Sequence, residues 1–296
     1  MKIFVITKKT LFTAAAVLAL AIAAVVVFVA IGGKKHSPSD ARAASAGAKE
    51  TASPAGSANK AAEHTALLSA DDEYEVEVLA GFRKELPVYS VDRSDGKIAL
   101  TIDAAWDDDK TPFILETLAR YNVKATFFLC GFWAEAYPEA VKQIADAGHV
   151  IGNHSMTHPH MSKLTDAEIA DEIKKLDDLV ENITGTRPTL FRAPYGEYND
   201  RVILAVRALG HEPIQWDIDT VDWKKERSSQ TILDSVLPRL ADGSIILCHN
   251  NGFKIEEYLP TLIETAQANG FTFVTVDELL LPGPTLIDVN GRQRAK

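Results

Sequence analysis

The sequence predicts an α/β barrel, and two observations favour this fold class. Apolar strand-like runs alternate with amphipathic helix-like stretches about seven times between residues 97 and 276, a pattern typical of a parallel sheet. Polar residues stand at the carboxyl ends of several runs, where the catalytic groups of an α/β barrel converge. Because the strand-like runs are continuously apolar, we expect a sheet covered on both faces, closed or nearly closed into a barrel.

The composition limits the classes of partner. The chain has 296 residues, 46% of them hydrophobic, which is ample for a core, and its net charge of −10 argues against nucleic acid or an anionic membrane surface as the main partner. Cys130 and Cys248 both lie in apolar runs. We expect buried, unpaired thiols there, and a single disulfide between them is the alternative.

The amino terminus predicts a membrane anchor. After a short tail at residues 1–10, residues 11–31 carry no charge, and a helix of that length is about 31 Å long, enough to cross a bilayer. A cleaved signal peptide is the alternative, since Lys2, Lys8 and Lys9 make a plausible positively charged region. The apolar run is longer than a typical signal sequence and ends without an obvious cleavage site. We therefore expect a single-pass protein of the cell membrane with its main domain outside the cytoplasm.

The rest of the chain divides by composition. Residues 32–68 are rich in Ala and Ser and lack aromatic residues, which predicts a flexible linker. Residues 69–96 form a lead-in segment with strand-like alternation near its start. The α/β domain is predicted at residues 97–276, and residues 277–296 are a C-terminal tail.

Within the domain, each predicted element has a local signal. Thr165 and Glu168 form a capping box, and Gly148, Gly210 and Gly270 stand where helices should end. The strands are predicted at 97–103, 124–130, 149–152, 189–192, 212–218, 244–249 and 271–276. The helices are predicted at 112–121, 138–147, 166–183, 200–209, 229–240 and 255–268.

The most informative motif follows the third strand. His154 and His158 are four residues apart after an apolar run, and on a helical turn this spacing places both imidazoles on one face. Two neutral imidazoles so placed can bind one divalent metal ion, while a pair of ordinary surface histidines is the alternative.

Other polar residues occupy equivalent positions in neighbouring units. Asp103, Arg192 and His249 end the first, fourth and sixth predicted strands, and the pair Asp219 and Asp222 follows the fifth. Since the carboxyl ends of parallel strands meet at one face of a barrel, we expect these side chains to surround one cleft.

These motifs together resemble those of a known family. The ordered set is Thr-Ile-Asp103, Asn-His154-Ser-Met-Thr-His158, Arg192-Ala-Pro-Tyr-Gly, Asp219-Thr-Val-Asp222-Trp and Leu-Cys-His249. It resembles the five motifs of the polysaccharide deacetylases, the NodB-homology enzymes of carbohydrate esterase family 4. The resemblance implies a distorted (β/α)7 barrel, and the lead-in is most similar to the membrane-anchored, sporulation-type branch.

The resemblance implies roles for the polar residues. His154 and His158 would bind a divalent metal, usually zinc in this family. Asp103 would be the general base, kept ionised and oriented by Arg192.

The resemblance to this family also implies a general acid and a pocket for the acetyl group of the substrate. His249 would be the general acid, with Asp222 accepting a hydrogen bond from its other ring nitrogen. Trp223 and Leu247 would enclose the acetyl methyl group, and the backbone N–H of Tyr195 would stabilise the oxyanion. Each residue also has a purely structural alternative, such as core packing for Trp223 and Leu247 or helix capping for Asp222.

One position departs from the family pattern. The first motif of the family usually has two adjacent aspartates, the second of them a metal ligand, but here Ala104 follows Asp103. Asp107, Asp108 or Asp109 could supply the missing ligand, Asp103 could contact the metal, or two histidines and water could hold it. The three aspartates could equally be a solvated loop.

Three functions therefore remain open. The first is metal-dependent removal of N-acetyl groups from an envelope glycan, with peptidoglycan amino sugars as the expected substrate. The second is a weak or inactive homologue that binds glycan strands, and the third is hydrolysis of a small amide. A zincin protease is disfavoured because His-Glu-x-x-His is absent.

Overall fold

The computed structural model describes residues 84–296. The predicted anchor, the linker and the first part of the lead-in lie outside the described residues. Among residues 84–296, no helix has both the length and the apolar character needed to cross a membrane.

Strands and helices alternate along the described chain, as the sequence predicts. The strands are β1 Ser90–Val91, β2 Lys97–Ala104, β3 Thr126–Leu129, β4 Val150–Asn153, β5 Leu190–Phe191, β6 Glu212–Pro213, β7 Ile218–Asp219, β8 Ile245–His249, β9 Thr272–Val274, β10 Thr285–Ile287 and β11 Arg292–Ala295. The helices are α1 Thr111–Arg120, α2 Gly131–Ala136, α3 Pro138–Asp146, α4 Asp166–Thr184, α5 Asp200–Ala208, α6 Ser229–Val236, α7 Ile255–Ala268 and α8 Val276–Leu279.

The main sheet is parallel and curves into an incomplete barrel. Its eight strands run in the order β6-β5-β4-β3-β2-β8-β7, with β9 paired to the amino-terminal end of β2. The central strand β2 pairs with β3 through residues 101–104 and with β8 through residues 99–103. Asp103 therefore lies directly beside His249, two residues that are far apart in the sequence.

The barrel is open where the sequence predicts one continuous strand. Residues 212–218 form two short strands, of which β6 pairs with β5 and β7 pairs with β8. Pro213 has no N–H to donate to a sheet. Instead, the backbone N–H of Val88 in the lead-in donates a hydrogen bond to the Pro213 carbonyl, and the backbone N–H of Gln215 donates one to the Val88 carbonyl. The prediction of a single strand is therefore wrong, and the segment joins the two edges of the sheet.

The helices cover the outer face of the sheet with their apolar sides. The capping box of α4 is confirmed, because Thr165 and Glu168 each accept a hydrogen bond from the other's backbone N–H. Helix α7 has the predicted bounds, whereas α2 and α8 are short helices that the periodicity did not indicate. Buried residues from β2, β3 and β8 pack with α1, α3 and α7 in the largest apolar cluster.

Residues at both ends of the described chain form a second, small sheet. It has the order β1-β11-β10, with β11 parallel to β1 and antiparallel to β10. The lead-in and the C-terminal segment are thus hydrogen-bonded to each other. The predicted domain boundaries at residues 97 and 276 stay a prediction.

Candidate active site

The predicted site residues meet around one cleft at the carboxyl ends of the parallel strands. The cleft has a volume of about 470 Å³, and seven of the nine predicted residues line it: Asp103, His154, His158, Tyr195, Trp223, Leu247 and His249. The other two, Arg192 and Asp222, are fully buried and contact lining residues from behind. Asp219 also lines the cleft.

Arg192 and Asp103 form a buried ion pair. Arg192 follows β5 and its Nη1 lies 2.7 Å from Oδ1 of Asp103. The same nitrogen donates to Thr101 Oγ1, and Nη2 donates to the backbone carbonyl of Gln215. The guanidinium lies over the ring of Phe128 at 4.1 Å. These contacts fix the arginine, so that Asp103 presents its second oxygen to the cleft.

The charge of Arg192 keeps Asp103 ionised. Burial by itself raises the pKa of the Asp103 carboxyl, but the positive charge of Arg192 and its hydrogen bond to the carboxylate outweigh this effect and the pKa is lowered. A buried carboxylate that is ionised at neutral pH and has one oxygen free is suited to accept a proton.

His154 is held in one tautomer. It follows β4, and its Nδ1 lies 2.8 Å from the backbone carbonyl of Arg192, so Nδ1 must carry the proton and donate it. Nε2 then carries the lone pair, 3.6 Å from Oδ2 of Asp103. Burial lowers the pKa of His154, which favours the neutral imidazole that a metal ion requires.

His158 reaches the same place through an irregular loop. The helical turn expected from the spacing is wrong, because Ser155 and His158 both have positive φ, at 67° and 57°. Polar contacts hold the loop instead: Ser155 N–H donates to Asn153 Oδ1, and His158 N–H donates to Ser155 Oγ. The two imidazole centroids lie 5.0 Å apart. Burial lowers the pKa of His158 to about 4.

The donor atoms around these imidazoles fit a divalent metal ion. Within the described part of the chain, Nδ1 of His158 is buried with no hydrogen-bond partner, so this nitrogen is available to bind a metal ion. Among residues 84–296, one group of three side chains has donor atoms all within 4.8 Å of one another, and it consists of Cys130, His154 and His158. None of the aspartates at 107–109 belongs to this group.

The second buried pair joins Asp222 to His249. Oδ1 of Asp222 lies 2.7 Å from Nδ1 of His249, which leaves Nε2 of the imidazole free. Oδ2 accepts from the His249 N–H at 3.1 Å and from the Tyr258 hydroxyl at 2.6 Å. Gly252 packs against this carboxylate so closely that a Cβ there would lie 2.2 Å from Oδ2. The carboxylate is thus held on three sides.

The environment of His249 favours its protonated form. Burial by itself lowers the pKa of His249, but the hydrogen bond and charge of Asp222, together with the charges of Asp103 and Asp219, more than offset it and the pKa is raised. The cleft therefore contains one proton donor, the half-buried imidazolium of His249, and one proton acceptor, the ionised carboxylate of Asp103.

The predicted substrate-binding residues differ in exposure. Leu247 is buried at the floor of the cleft, whereas the rings of Tyr195 and Trp223 are 61% and 54% exposed at its rim. Tyr195 has a φ of 60°, and its ring meets His158 edge-on at a centroid distance of 4.4 Å. An exposed Trp223 argues against core packing as its role.

Several residues of the cleft are not among those predicted from the sequence. Trp106 is half-exposed and meets His158 edge-on at 5.1 Å, and Trp216 lies beside Arg192. Their positions just after Asp103 and just before Asp219 were an available signal. Cys130 was expected only as a buried thiol; it is indeed buried and free, as is Cys248, but it also stands next to the two imidazoles.

Comparison with known proteins identifies the family. Residues 90–214 match the family model of polysaccharide deacetylase. The peptidoglycan-N-acetylglucosamine deacetylase of Bacillus cereus is 35% identical over 216 residues, which cover 72% of this chain and 78% of that protein. The peptidoglycan-N-acetylmuramic acid deacetylase PdaA of Bacillus subtilis is 31% identical over 186 residues, covering 62% and 71%.

A solved structure agrees in fold. Wild-type BA3943 of Bacillus anthracis, described as a CE4 family pseudoenzyme, superposes with a TM-score of 0.63 at 34% identity, covering 65% of this chain and 68% of that chain. The α/β half-barrel and the similarity to these named deacetylases place the chain among the hydrolases. The chain belongs to the polysaccharide deacetylase family, carbohydrate esterase family 4.

Proposed function

We propose that this chain hydrolyses N-acetyl groups on the amino sugars of peptidoglycan. The observation that carries the proposal is that two buried ion pairs prepare an acid and a base on adjacent strands of one cleft: Arg192 with Asp103, and Asp222 with His249. A module that only binds glycan has no need of this arrangement. The named activities of the relatives in Bacillus cereus and Bacillus subtilis support peptidoglycan as the substrate.

The residues divide the reaction between them. Asp103 takes a proton from the attacking water through its free oxygen, Oδ2, while Arg192 holds the other oxygen. As the carbon–nitrogen bond breaks, His249 donates its proton to the amine nitrogen, which leaves acetate and a free amino sugar. The N–H of Tyr195 stabilises the oxyanion, and Leu247 and Trp223 enclose the methyl group.

His154 and His158 would hold the metal ion. Its chemistry, when bound, is that of a Lewis acid that polarises a carbonyl and acidifies water. We propose zinc, because neutral imidazole is a preferred ligand of zinc.

Acetate release from purified peptidoglycan tests the proposal. The full-length chain is assayed free of metal and after addition of zinc, beside His154→Ala. We expect zinc-dependent release that is lost in the variant, and analysis of the digested glycan shows whether glucosamine or muramic acid has lost its acetyl group. No release with zinc or any other divalent metal would refute it.

A second function is favoured by one specific observation. Ala104 occupies the position where the family usually has a metal-binding aspartate, and the similar protein BA3943 is described as a pseudoenzyme. A chain that sediments with peptidoglycan but releases no acetate under the conditions above would be a glycan-binding homologue.

We also propose that the domain acts from the outer face of the cell membrane, as a member of the sporulation-type branch. The uncharged segment at 11–31 and the Ala/Ser-rich segment at 32–68 support an anchor and a tether. Amino-terminal sequencing of the membrane fraction tests the anchor, and a mature chain starting after Ile31 would refute it. Immunoblots of growing and sporulating cells test the branch.

A further inference from the structure

We propose that Cys130 is the third protein ligand of the metal ion, in place of the carboxylate that Ala104 does not provide. This inference rests on the proposed function only in placing a metal ion at His154 and His158. The resulting site has two imidazole nitrogens and one thiolate sulfur, and it takes zinc or cobalt.

The backbone places Cys130 beside the position that has lost its ligand. Ala104 ends β2 and pairs with Leu129 at the end of β3. The N–H of Cys130 then donates to the Ala104 carbonyl at 2.9 Å. The thiol is therefore on the neighbouring strand at the same edge of the sheet, one residue beyond the site of the missing carboxylate.

The start of α2 also ties Cys130 to the histidine loop. The N–H of Gly131 donates to the Ser155 carbonyl at 3.0 Å, and the N–H of Phe132 donates to that of Met156 at 3.1 Å. Gly131 permits this approach, because a Cβ there would lie 2.1 Å from Sδ of Met156. The distance between Cys130 and the loop that carries both histidines is thereby set by backbone contacts.

The donor atoms are free to bind a metal ion. His154 directs its lone pair away from the Arg192 carbonyl, and Nδ1 of His158 is buried without a hydrogen-bond partner among residues 84–296. The Cys130 thiol donates one hydrogen bond, 3.4 Å to the His154 carbonyl, which is released when the thiol loses its proton, and it is otherwise packed among apolar side chains. Asp103 does not belong to this group of donor atoms, and Arg192 holds one of its two carboxylate oxygens.

The chemistry of this donor set differs from that of a carboxylate site. The thiol gives its proton to solvent as the sulfur–metal bond forms, so one proton is released for each metal ion bound. Thiolate and imidazole together favour zinc and cobalt over magnesium or manganese, which prefer oxygen ligands. Three protein ligands would leave the metal ion open to water or substrate, as catalytic zinc sites require.

Cys248 provides a matched control. It too is a buried, free cysteine at the carboxyl end of a strand, but it does not belong to the group formed by Cys130, His154 and His158. Replacement of either thiol by serine changes the same atom, so only the loss of a ligand distinguishes the two variants.

Cobalt spectroscopy of the full-length chain is the first test. We expect the cobalt-loaded wild type and Cys248→Ser to show a near-ultraviolet thiolate-to-cobalt charge-transfer band, and Cys130→Ser to lack it. Competition with a chromophoric chelator should show zinc binding weakened about tenfold or more in Cys130→Ser. Ala104→Asp in that variant should restore zinc affinity but not the band. A band that persists in Cys130→Ser, or is absent from the wild type, would overturn the inference.

X-ray absorption of the zinc-loaded wild type needs no variant. A sulfur neighbour at about 2.3 Å from zinc is expected, and a shell of nitrogen and oxygen alone would refute the assignment. These readouts are independent of acetate release. Activity without a sulfur ligand would overturn only this inference, while a sulfur ligand without activity would overturn only the proposed function.

Discussion

Nη1 of Arg192 lies 2.7 Å from Oδ1 of Asp103, and both side chains are almost completely removed from solvent. The pair joins the end of β5 to the end of β2 across 89 positions of sequence. It orients a carboxylate and holds a positive charge inside the barrel. Its removal should therefore affect both stability and chemistry.

Arg192→Gln should destabilise the fold. Loss of one partner of a buried ion pair leaves an uncompensated charge, which costs about 3–5 kcal/mol of unfolding free energy. Urea denaturation measures the change. Arg120→Gln is the control, because Arg120 forms an exposed pair with Glu116 at 2.9 Å, whose loss should cost less than about 0.5 kcal/mol. Similar losses in the two variants would contradict a structural role for the buried pair.

Asp222→Asn should move the alkaline limb of the activity profile to lower pH. The folded-state pKa of His249 is raised above its ordinary value by Asp222, so the protonated acid persists to higher pH in the wild type. The pH dependence of kcat/KM for acetate release measures the shift. Asp219→Asn should cause a smaller shift, because Asp219 acts on His249 by charge alone. Equal alkaline limbs in wild type and Asp222→Asn would be inconsistent with this account.

The pair formed by Asp222 and His249 should make the free energy of unfolding depend on pH. Because the folded-state pKa of His249 is raised, its contribution is fully present below the unfolded-state pKa of about 6.5 and is lost as the pH rises through the folded-state value. The stability difference between wild type and His249→Gln should therefore shrink towards alkaline pH. A stability difference that grows with pH in urea denaturation would contradict a raised folded-state pKa for His249.

Asp103→Asn should separate the general base from the metal site. Without the proton acceptor, kcat/KM should fall by about 10²–10⁴, because general-base catalysis contributes an effect of that size. The zinc dissociation constant should stay unchanged, since Asp103 does not belong to the group of donor atoms formed by Cys130, His154 and His158. Chelator competition measures it, and a rise of about tenfold or more would make Asp103 a metal ligand instead.

Gly252→Ala should weaken the action of His249 as general acid, although residue 252 does not line the cleft. A Cβ at this position would lie 2.2 Å from Oδ2 of Asp222, so the carboxylate or the backbone at residue 252 must shift and the contact between Asp222 and His249 is disturbed. We expect a loss of about 1–3 kcal/mol in stability and lower activity at alkaline pH. Gly185→Ala is the control: its φ is +76° but no atom lies within 4 Å of its Cβ. It should cost about 1 kcal/mol and leave acetate release unchanged.

Replacement of the aspartates at 107, 108 and 109 together by alanine should leave zinc affinity unchanged. None of the three belongs to the group of donor atoms at the two histidines. Chelator competition on the full-length chain measures the affinity. Weaker binding in this triple variant would show that one of these carboxylates reaches the metal after all.

The sequence by itself determined the class of fold and the position of each functional group along a strand. Apolar alternation indicates which segments are strands and helices, and a motif at the end of a strand is placed at one face of any parallel barrel. Asp103, Arg192 and His249 could therefore be assigned to one cleft from the sequence. The motifs also indicated the family.

Only the tertiary structure decided which remote side chains meet. Periodicity encodes faces and not distances, so it indicated neither the opening of the barrel at Pro213 nor the positive-φ loop that carries His154 and His158. The position of Cys130 depends on hydrogen bonds to Ala104 and to the histidine loop, between strands that are distant in sequence. Such contacts form only when the sheet is assembled, and for this reason a buried thiol and a metal-site thiol are indistinguishable in the sequence.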